Sequence, residues 1–560
     1  MNHLLRPLLR KAIALSLAFS LLFYALPARA VSVELSSDIP ADISLTLKDE
    51  KTREQKDFPG LQEIFDRFAW NEFVAINWPL EDGTPLPKIT DKGTPQWLTW
   101  HESLQVFRPD GSDPQENTPR LCPQNSDKWG NKRGNKRELY LTSSVFSNTV
   151  NSDIADEVNQ AFTTPLYDQN GKEVRYEIFL NDEEYDYIVE NKLYNLDGQI
   201  EYSQKYHAPV NFPSGDYNTG ELGAIEIKLA WKELSADDIE SRFYTQEVLL
   251  PKLKPDGEPD INKKTGNFKS CEEKKMGLVG MHIAQKTKSS PQWVWATFEQ
   301  VDNIVVDDTV FVDGKRLHAS FHDYTAAGQT LPVNVPPIKR NSKGKPDSNG
   351  LKKTQVSRAI PITGLAQRVN SEYQQALAEV NSPLQYYELI DTQWPTAPYP
   401  SKNSDPKKVN NYGIDTQWPT APYPSKNSDP KKVNNYGAVA GSPFPNNLPE
   451  GITRKSTGAP APVYLTNSIM ETYFQAGNQL AQFQENGFPQ NKTPVFGTES
   501  CMACHFSAGI ATGYEMKNLN GYEVKVPIFD GDLTGDFSWL PQLKAQWKDQ
   551  IPELHRALAR

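Results

Sequence analysis

The sequence predicts an α+β fold, with mixed strands and helices in its N-terminal part and a mainly helical region near its C-terminus. Three observations lead there. An apolar stripe at helical spacing runs from Leu61 to Ile76, several segments between residues 170 and 300 alternate as strands do, and a second helical stripe begins at Ser468. The strands and helices follow no regular βαβ order, which separates this chain from the doubly wound parallel sheets.

The chain has 560 residues, enough for two to four domains at about 150 residues each. A mean hydropathy of −0.62 and 23% charged residues exclude an integral membrane protein, and 11% aromatic residues can furnish a sizeable core. At the N-terminus, Arg6, Arg10 and Lys11 precede an apolar run of 15 residues, Ala12 to Leu26, and Ala28-Arg29-Ala30 supplies a small-x-small cleavage pattern. Residues 1–30 therefore read as a signal peptide, with a mature chain from Val31. The run is shorter than the roughly 20 residues a spanning helix needs, so no membrane span is expected after cleavage. The segment holds four basic and no acidic residues, and its loss takes the formal net charge from −11 to −15. That balance excludes broad nucleic-acid binding, which needs basic surface. The expected location is a bacterial periplasm.

Residues 31–330 read as a mixed α/β region. Leu61, Ile64, Phe65, Phe68, Ala69, Phe73 and Ile76 form one face of a helix that Pro79 ends, and a second helix is expected at Asp153 to Phe162. Asn170-Gly171 signals a hairpin. Ile225, Ile227, Leu229 and Trp231 alternate with polar neighbours, and GLVGMHIAQ and QWVWATFEQV are two more strands. Residues 331–355, rich in Pro, Lys, Gly and Ser, read as an exposed connection. Residues 356–465 form an irregular region around a 24-residue tandem repeat, in which 390–413 is followed by the identical 414–437. Two copies are too few for a solenoid.

Residues 466–560 carry the chemistry. Ser468 and Glu471 make a capping-box pattern, and Ile469, Met470, Tyr473, Phe474, Gly477, Leu480 and Ala481 follow at helical spacing. Cys501-Met502-Ala503-Cys504-His505 is then a C-x-x-C-H motif, the pattern of covalent c-type haem attachment. Two thiols three residues apart can reach the two vinyl groups of one porphyrin, and the next residue places an imidazole under the iron. A dithiol redox pair lacks a thioredoxin-like βαβ context, and half a zinc site lacks its second ligand pair. One covalent haem c is thus expected, held by Cys501 and Cys504, with His505 as axial ligand. The sixth ligand is Met516 or His282, or the position is open. Met281 and His282 are neighbours in a strand, so only one of them can face the iron.

Cys122 and Cys271 are disulfide candidates in an oxidising compartment. His318 and His322 stand at i, i+4 but lack a third metal ligand, and read as packing residues. No G-x-S-x-G, P-loop, Rossmann fingerprint or H-E-x-x-H is present.

FAWNEFVAINWP (Phe68 to Pro79), AIEIKLAWKEL (Ala224 to Leu234), GLVGMHIAQKT (Gly277 to Thr287), QWVWATFEQVDN, YELIDTQWP and SCMACHFSA together resemble large exported cytochrome c family proteins of bacteria. The resemblance implies a mono-haem c-type cytochrome in a family without an established reaction. Electron transfer to a redox partner, protein or small molecule, is the first functional expectation. A haem-dependent oxidoreductase of peroxidase type, or a small-ligand or redox sensor with an open iron position, is the second.

Overall fold

The computed structural model describes residues 33–108, 110–114, 166–252, 269–325, 327–335, 353–396, 460–462, 464–473, 500–505, 508–519 and 521–548, together with Cys122, 137–138 and Gln475. The signal-peptide segment, the helix expected at Asp153 to Phe162, most of the tandem repeat and His555 lie outside the described residues.

A nine-stranded sheet organises the chain. Its strands are β1 (His101–Glu102), β2 (Arg137–Glu138), β3 (Arg175–Leu180), β4 (Ile225–Glu233), β5 (Thr245–Pro251), β6 (Cys271–Gln285), β7 (Val294–Gln300), β8 (Tyr387–Pro395) and β9 (Pro460–Ala461). The order is β9-β8-β7-β6-β4-β3-β1, with β5 pairing the first half of β6, and β2 pairing β5. Every pairing is antiparallel except that of β2 with β5. The 15-residue β6 serves two partners by length: Cys271 to Gly277 pair with β5, and Met276 to Gln285 with β4. β8 lies in the stretch read as irregular from sequence. Its apolar YELIDTQWP is buried along nearly its whole length beside β7.

One face of the sheet is closed by helices. α1 (Leu47–Lys56) leads into α2 (Phe58–Ile76), where Asp57 caps by accepting from Gly60 N–H at 3.2 Å and Pro59 sits in the first turn. Asn77 ends the helix, its side-chain amide donating to Phe73 O at 2.8 Å. The apolar stripe of α2 meets the sheet through stacked rings: Phe65 on Trp394 at 4.3 Å and Phe73 on Phe298 at 4.2 Å. Burying each such side chain contributes about 1.5–3 kcal/mol, so this face is a principal source of stability. α5 (Gly364–Glu379) packs alongside, with Tyr373 stacked on Trp70 at 5.1 Å. Between β3 and β4 lie α3 (Asp182–Glu190) and α4 (Leu196–Tyr206).

The C-terminal part corrects the predicted fold class. The α+β reading required a mainly helical haem-binding region over 466–560, but the described residues there are mainly β. Only α6 (Cys501–His505) and α7 (Leu540–Lys544) are helical, and each has five residues. Between them β10 (Gly509–Leu519) and β11 (Tyr522–Thr534) form a long antiparallel hairpin. The stripe from Ser468 makes turns rather than a helix over its described residues. Asn467, not Ser468, caps the turn that forms here: its Oδ1 accepts the N–H groups of Ile469 and Met470 at 2.8 and 3.2 Å, while Ser468 turns its hydroxyl to Glu299 at 2.5 Å. Ser468 is tied to the sheet instead of capping a helix.

Candidate haem site

The second face of the sheet alternates differently from the first. Along β3 and β4, Tyr176, Ile178, Glu226 and Lys228 keep partial exposure, while Glu177, Phe179, Ile227 and Leu229 are buried against the helices. Register places Ile178, Lys228, His282 and Thr297 in one row across β3, β4, β6 and β7, and Leu180, Glu226, Ala284, Trp295 and Gln393 in the next. Side chains in a row share a face. His282 is half-buried there, and Met281 points the other way, 4.0 Å from Asn77 in the α2 layer.

Three chain segments cover this face. Residues 464–473 cross β7, where Asn467 donates to Thr297 Oγ1 at 2.8 Å. α6 is hung from β8 and β7: Gln393 Oε1 accepts Met502 N–H at 2.8 Å, and Trp295 packs on the His505 ring at 4.5 Å. Residues after β11 cross β4, where the Ser538 hydroxyl donates to Glu226 at 2.9 Å. Between them Tyr176, Lys228, His282, Glu471, Cys501, Cys504 and His505 all retain partial exposure, which marks a recess in the middle of the sheet.

Cys501 and Cys504 stand one helical turn apart in α6, so both thiols share a face. Neither is in a disulfide. Burial pushes the Cys501 thiol well above its usual value, and the charges of Glu471 and Cys504 add to this. A thiol so held is poorly suited to thiol–disulfide exchange, which requires thiolate. His505 Nδ1 lies 2.7 Å from Phe537 O. A carbonyl only accepts, so Nδ1 carries the proton and Nε2 keeps its lone pair. Burial lowers this imidazole to about 4, so it is neutral in ordinary buffers. A neutral imidazole whose other nitrogen is held by a carbonyl is the usual state of a metal-ligating histidine.

Phe537 is itself fixed. It and Asp536 adopt left-handed backbone angles (φ 69° and 53°), and Asp536 accepts from Phe212 N–H at 2.8 Å and pairs with Lys286. Lys286 and Asp536 are fully buried, and burial drives the lysine down and the aspartate up. At the far end of α6 the Trp539 indole donates to Cys504 O at 3.1 Å.

Among the sequence-predicted ligands, the structure brings His282 to the recess with Cys501, Cys504 and His505. Met516 is elsewhere: it lies on β10 opposite Lys525, 53% exposed. His318 and His322 are not on a helix, and engage Asp238 at 3.5 Å and Val356 O at 2.6 Å. No group of three metal-ligating residues occurs among the described residues, and none of the described helices is long and apolar enough to cross a membrane. Cys122 and Cys271 form a disulfide with Cα atoms 5.8 Å apart. Lys228, Glu471, Gln393 and Asp536 were not singled out as site residues from sequence. A lysine inside the alternating IEIKLAW was the one local signal.

No family, curated protein or solved structure matches the chain, so the likeness to exported cytochromes c rests on the quoted sequence segments alone.

The donor set fits a covalent haem. It offers two thiols on one face, a neutral imidazole of fixed tautomer, and an apolar wall of Trp295 and Ile178. It also includes a buried imidazole nitrogen without a hydrogen bond, His282 Nε2. Lys228 and Lys544, both lowered by burial, stand close enough to Glu226 to act on its carboxylate.

Proposed function

We propose that the chain is an exported c-type cytochrome that carries one haem and works in electron transfer. The observation that carries this reading is the geometry of α6: paired thiols followed at once by His505, neutral and with its Nδ1 proton committed to Phe537 O, over a recess in the sheet. Each cysteine S–H would add across one vinyl group, sulfur to one carbon and hydrogen to the other, so the attachment balances without a further reactant. His505 Nε2 would supply the axial lone pair. A haem held there exchanges one electron between ferric and ferrous iron. What the chain itself does is fix the imidazole through Phe537 O and pack Trp295 against it. The signal-peptide pattern and the Cys122–Cys271 disulfide both fit an oxidising compartment outside the cytoplasm.

The double variant Cys501→Ala/Cys504→Ala, expressed with a haem-attachment apparatus, should lose all haem that survives denaturing electrophoresis, while a protein of unchanged export accumulates. A haem-stained band of wild-type intensity from that variant would end the assignment.

A further inference from the structure

The geometry points to His282 as the second axial ligand of the haem iron, so that the centre is six-coordinate through two histidines; this rests on the haem reading above. His282 stands on the recess face of β6, in register with Thr297 of β7, two residues from the Trp295 that packs on His505. Its Nε2 is buried and makes no hydrogen bond. Glu471 Oε2 lies at ion-pair distance, 3.5 Å, and that oxygen also accepts Asn467 N–H at 2.7 Å. Glu471 stands at ion-pair distance only, so the buried Nε2 still lacks a short hydrogen bond to replace the water it gave up. Iron provides the partner: the lone pair fills the coordination position, and no proton or electron moves.

Several other described histidine and methionine side chains are placed elsewhere. His101 pairs with Asp182 at the sheet edge, and His207 follows α4 at the surface. Met281 faces the α2 layer, and Met516 is exposed on the hairpin. Met470 is buried in an apolar cluster with Val279, Ile304 and Phe321. Two elements far apart in sequence thus bring two imidazoles to one recess, the second of them on a rigid central strand rather than on a loop.

The test uses the full-length protein with haem attached. The wild type should give a wholly low-spin ferric electron paramagnetic resonance spectrum, and its ferrous form should leave carbon monoxide unbound. His282→Ala, at equal covalent haem content, should become high-spin and bind carbon monoxide, and added imidazole should restore the low-spin spectrum. Met470→Leu should change neither property. If His282→Ala does not accumulate, His282→Met reads the same position: a thioether-to-iron charge-transfer band appears if residue 282 binds iron. A wild-type centre that is high-spin or binds carbon monoxide fully would overturn the proposal, and so would a low-spin spectrum that survives His282→Ala or a low-spin His282→Met variant without the thioether band. Either result leaves the cytochrome reading intact, because covalent haem would still be present. Absence of covalent haem from the wild type would instead overturn the reading on which the proposal rests.

Discussion

At the scale of single residues, the histidine of the C-x-x-C-H motif depends on a buried ion pair that contacts no ligand. Asp536 and Lys286 join the loop after β11 to the end of β6, and the adjacent Phe537 carbonyl receives the His505 proton. Phe is costly at a positive φ, on the order of 1–3 kcal/mol, and persists only where neighbours over-determine it. Asp536→Ala would leave Lys286 buried without its carboxylate. The expected loss is about 3–5 kcal/mol in urea or thermal unfolding, since breaking a buried pair strands a charge. On the proposed haem reading, a looser Phe537 carbonyl in the protein that folds would make His505 a weaker donor, favour ferrous iron and raise the reduction potential. An unchanged potential in a destabilised variant would show that the pair serves stability alone. The motif itself was legible because its chemistry occupies five consecutive residues. Its supports were not: Gln393 lies 109 residues from Met502, and Lys286 lies 250 from Asp536. Nothing in a local window distinguishes this lysine from a solvated one.

At the scale of elements, legibility followed how local each element's reason was. α2 was readable because its apolar stripe lies within one window, whereas its Asp57 cap and its end at Asn77, ahead of the expected Pro79, were not read. The β10–β11 hairpin was missed although the sequence holds Asn-Gly, the strongest hairpin dipeptide, between the two strands, and Gly521 has φ 88°. Reading a helical haem region into residues 466–560 put Met516 near the iron, whereas the hairpin carries it out to solvent. The long β6 also holds its disulfide and its candidate ligand far apart along one strand. Cys271 begins it and His282 lies 11 residues on, roughly 35 Å away at about 3.3 Å per residue. The Cys122–Cys271 disulfide closes a loop with a separation of 149 residues, for which the chain-entropy account gives about 5 kcal/mol as an upper figure. Cys122→Ser/Cys271→Ser should therefore lower the denaturant midpoint while leaving the haem spectrum unchanged. A changed spectrum at full folding would mean that strain at the start of β6 reaches its far end.

At the scale of the whole molecule, the buried carboxyl groups set how stability responds to pH. Burial raises Glu102 and Glu388 to about 7, raises Asp66 and Glu226 in the same direction, and holds Glu72 and Glu184 well above the usual range. A carboxyl whose folded pKa is raised binds its proton in the native state while the unfolded chain has released it. Stability from such a group is complete below about pH 4.5 and is lost as pH rises through the folded value. His318, raised chiefly by its hydrogen bond to Asp238, acts in the same sense around neutrality. His505 opposes them: lowered by burial to about 4, it adds stability between about pH 4 and 6.5 in the haem-free chain. Carboxylates lowered against their own desolvation, Asp238 by His318 and Lys232 and Glu471 by His282 and Lys228, lose their contribution only on the acid side. These raised carboxyls, with Asp536 beside them, outnumber the lowered imidazole and set the sign over this range. The melting temperature should fall between about pH 5 and pH 8, with an acid limb below about pH 4. Glu102→Gln tests the cause at a site joined to the fold by Leu104 N–H and the Ser103 hydroxyl, since the amide oxygen still accepts from one of them. The variant should melt lower than wild type at about pH 5 and recover relative to it by about pH 8, because its native state no longer has a proton to lose. A melting temperature that rises across this range, or a Glu102→Gln difference that does not change with pH, would mean that these carboxyls ionise freely and that water reaches them.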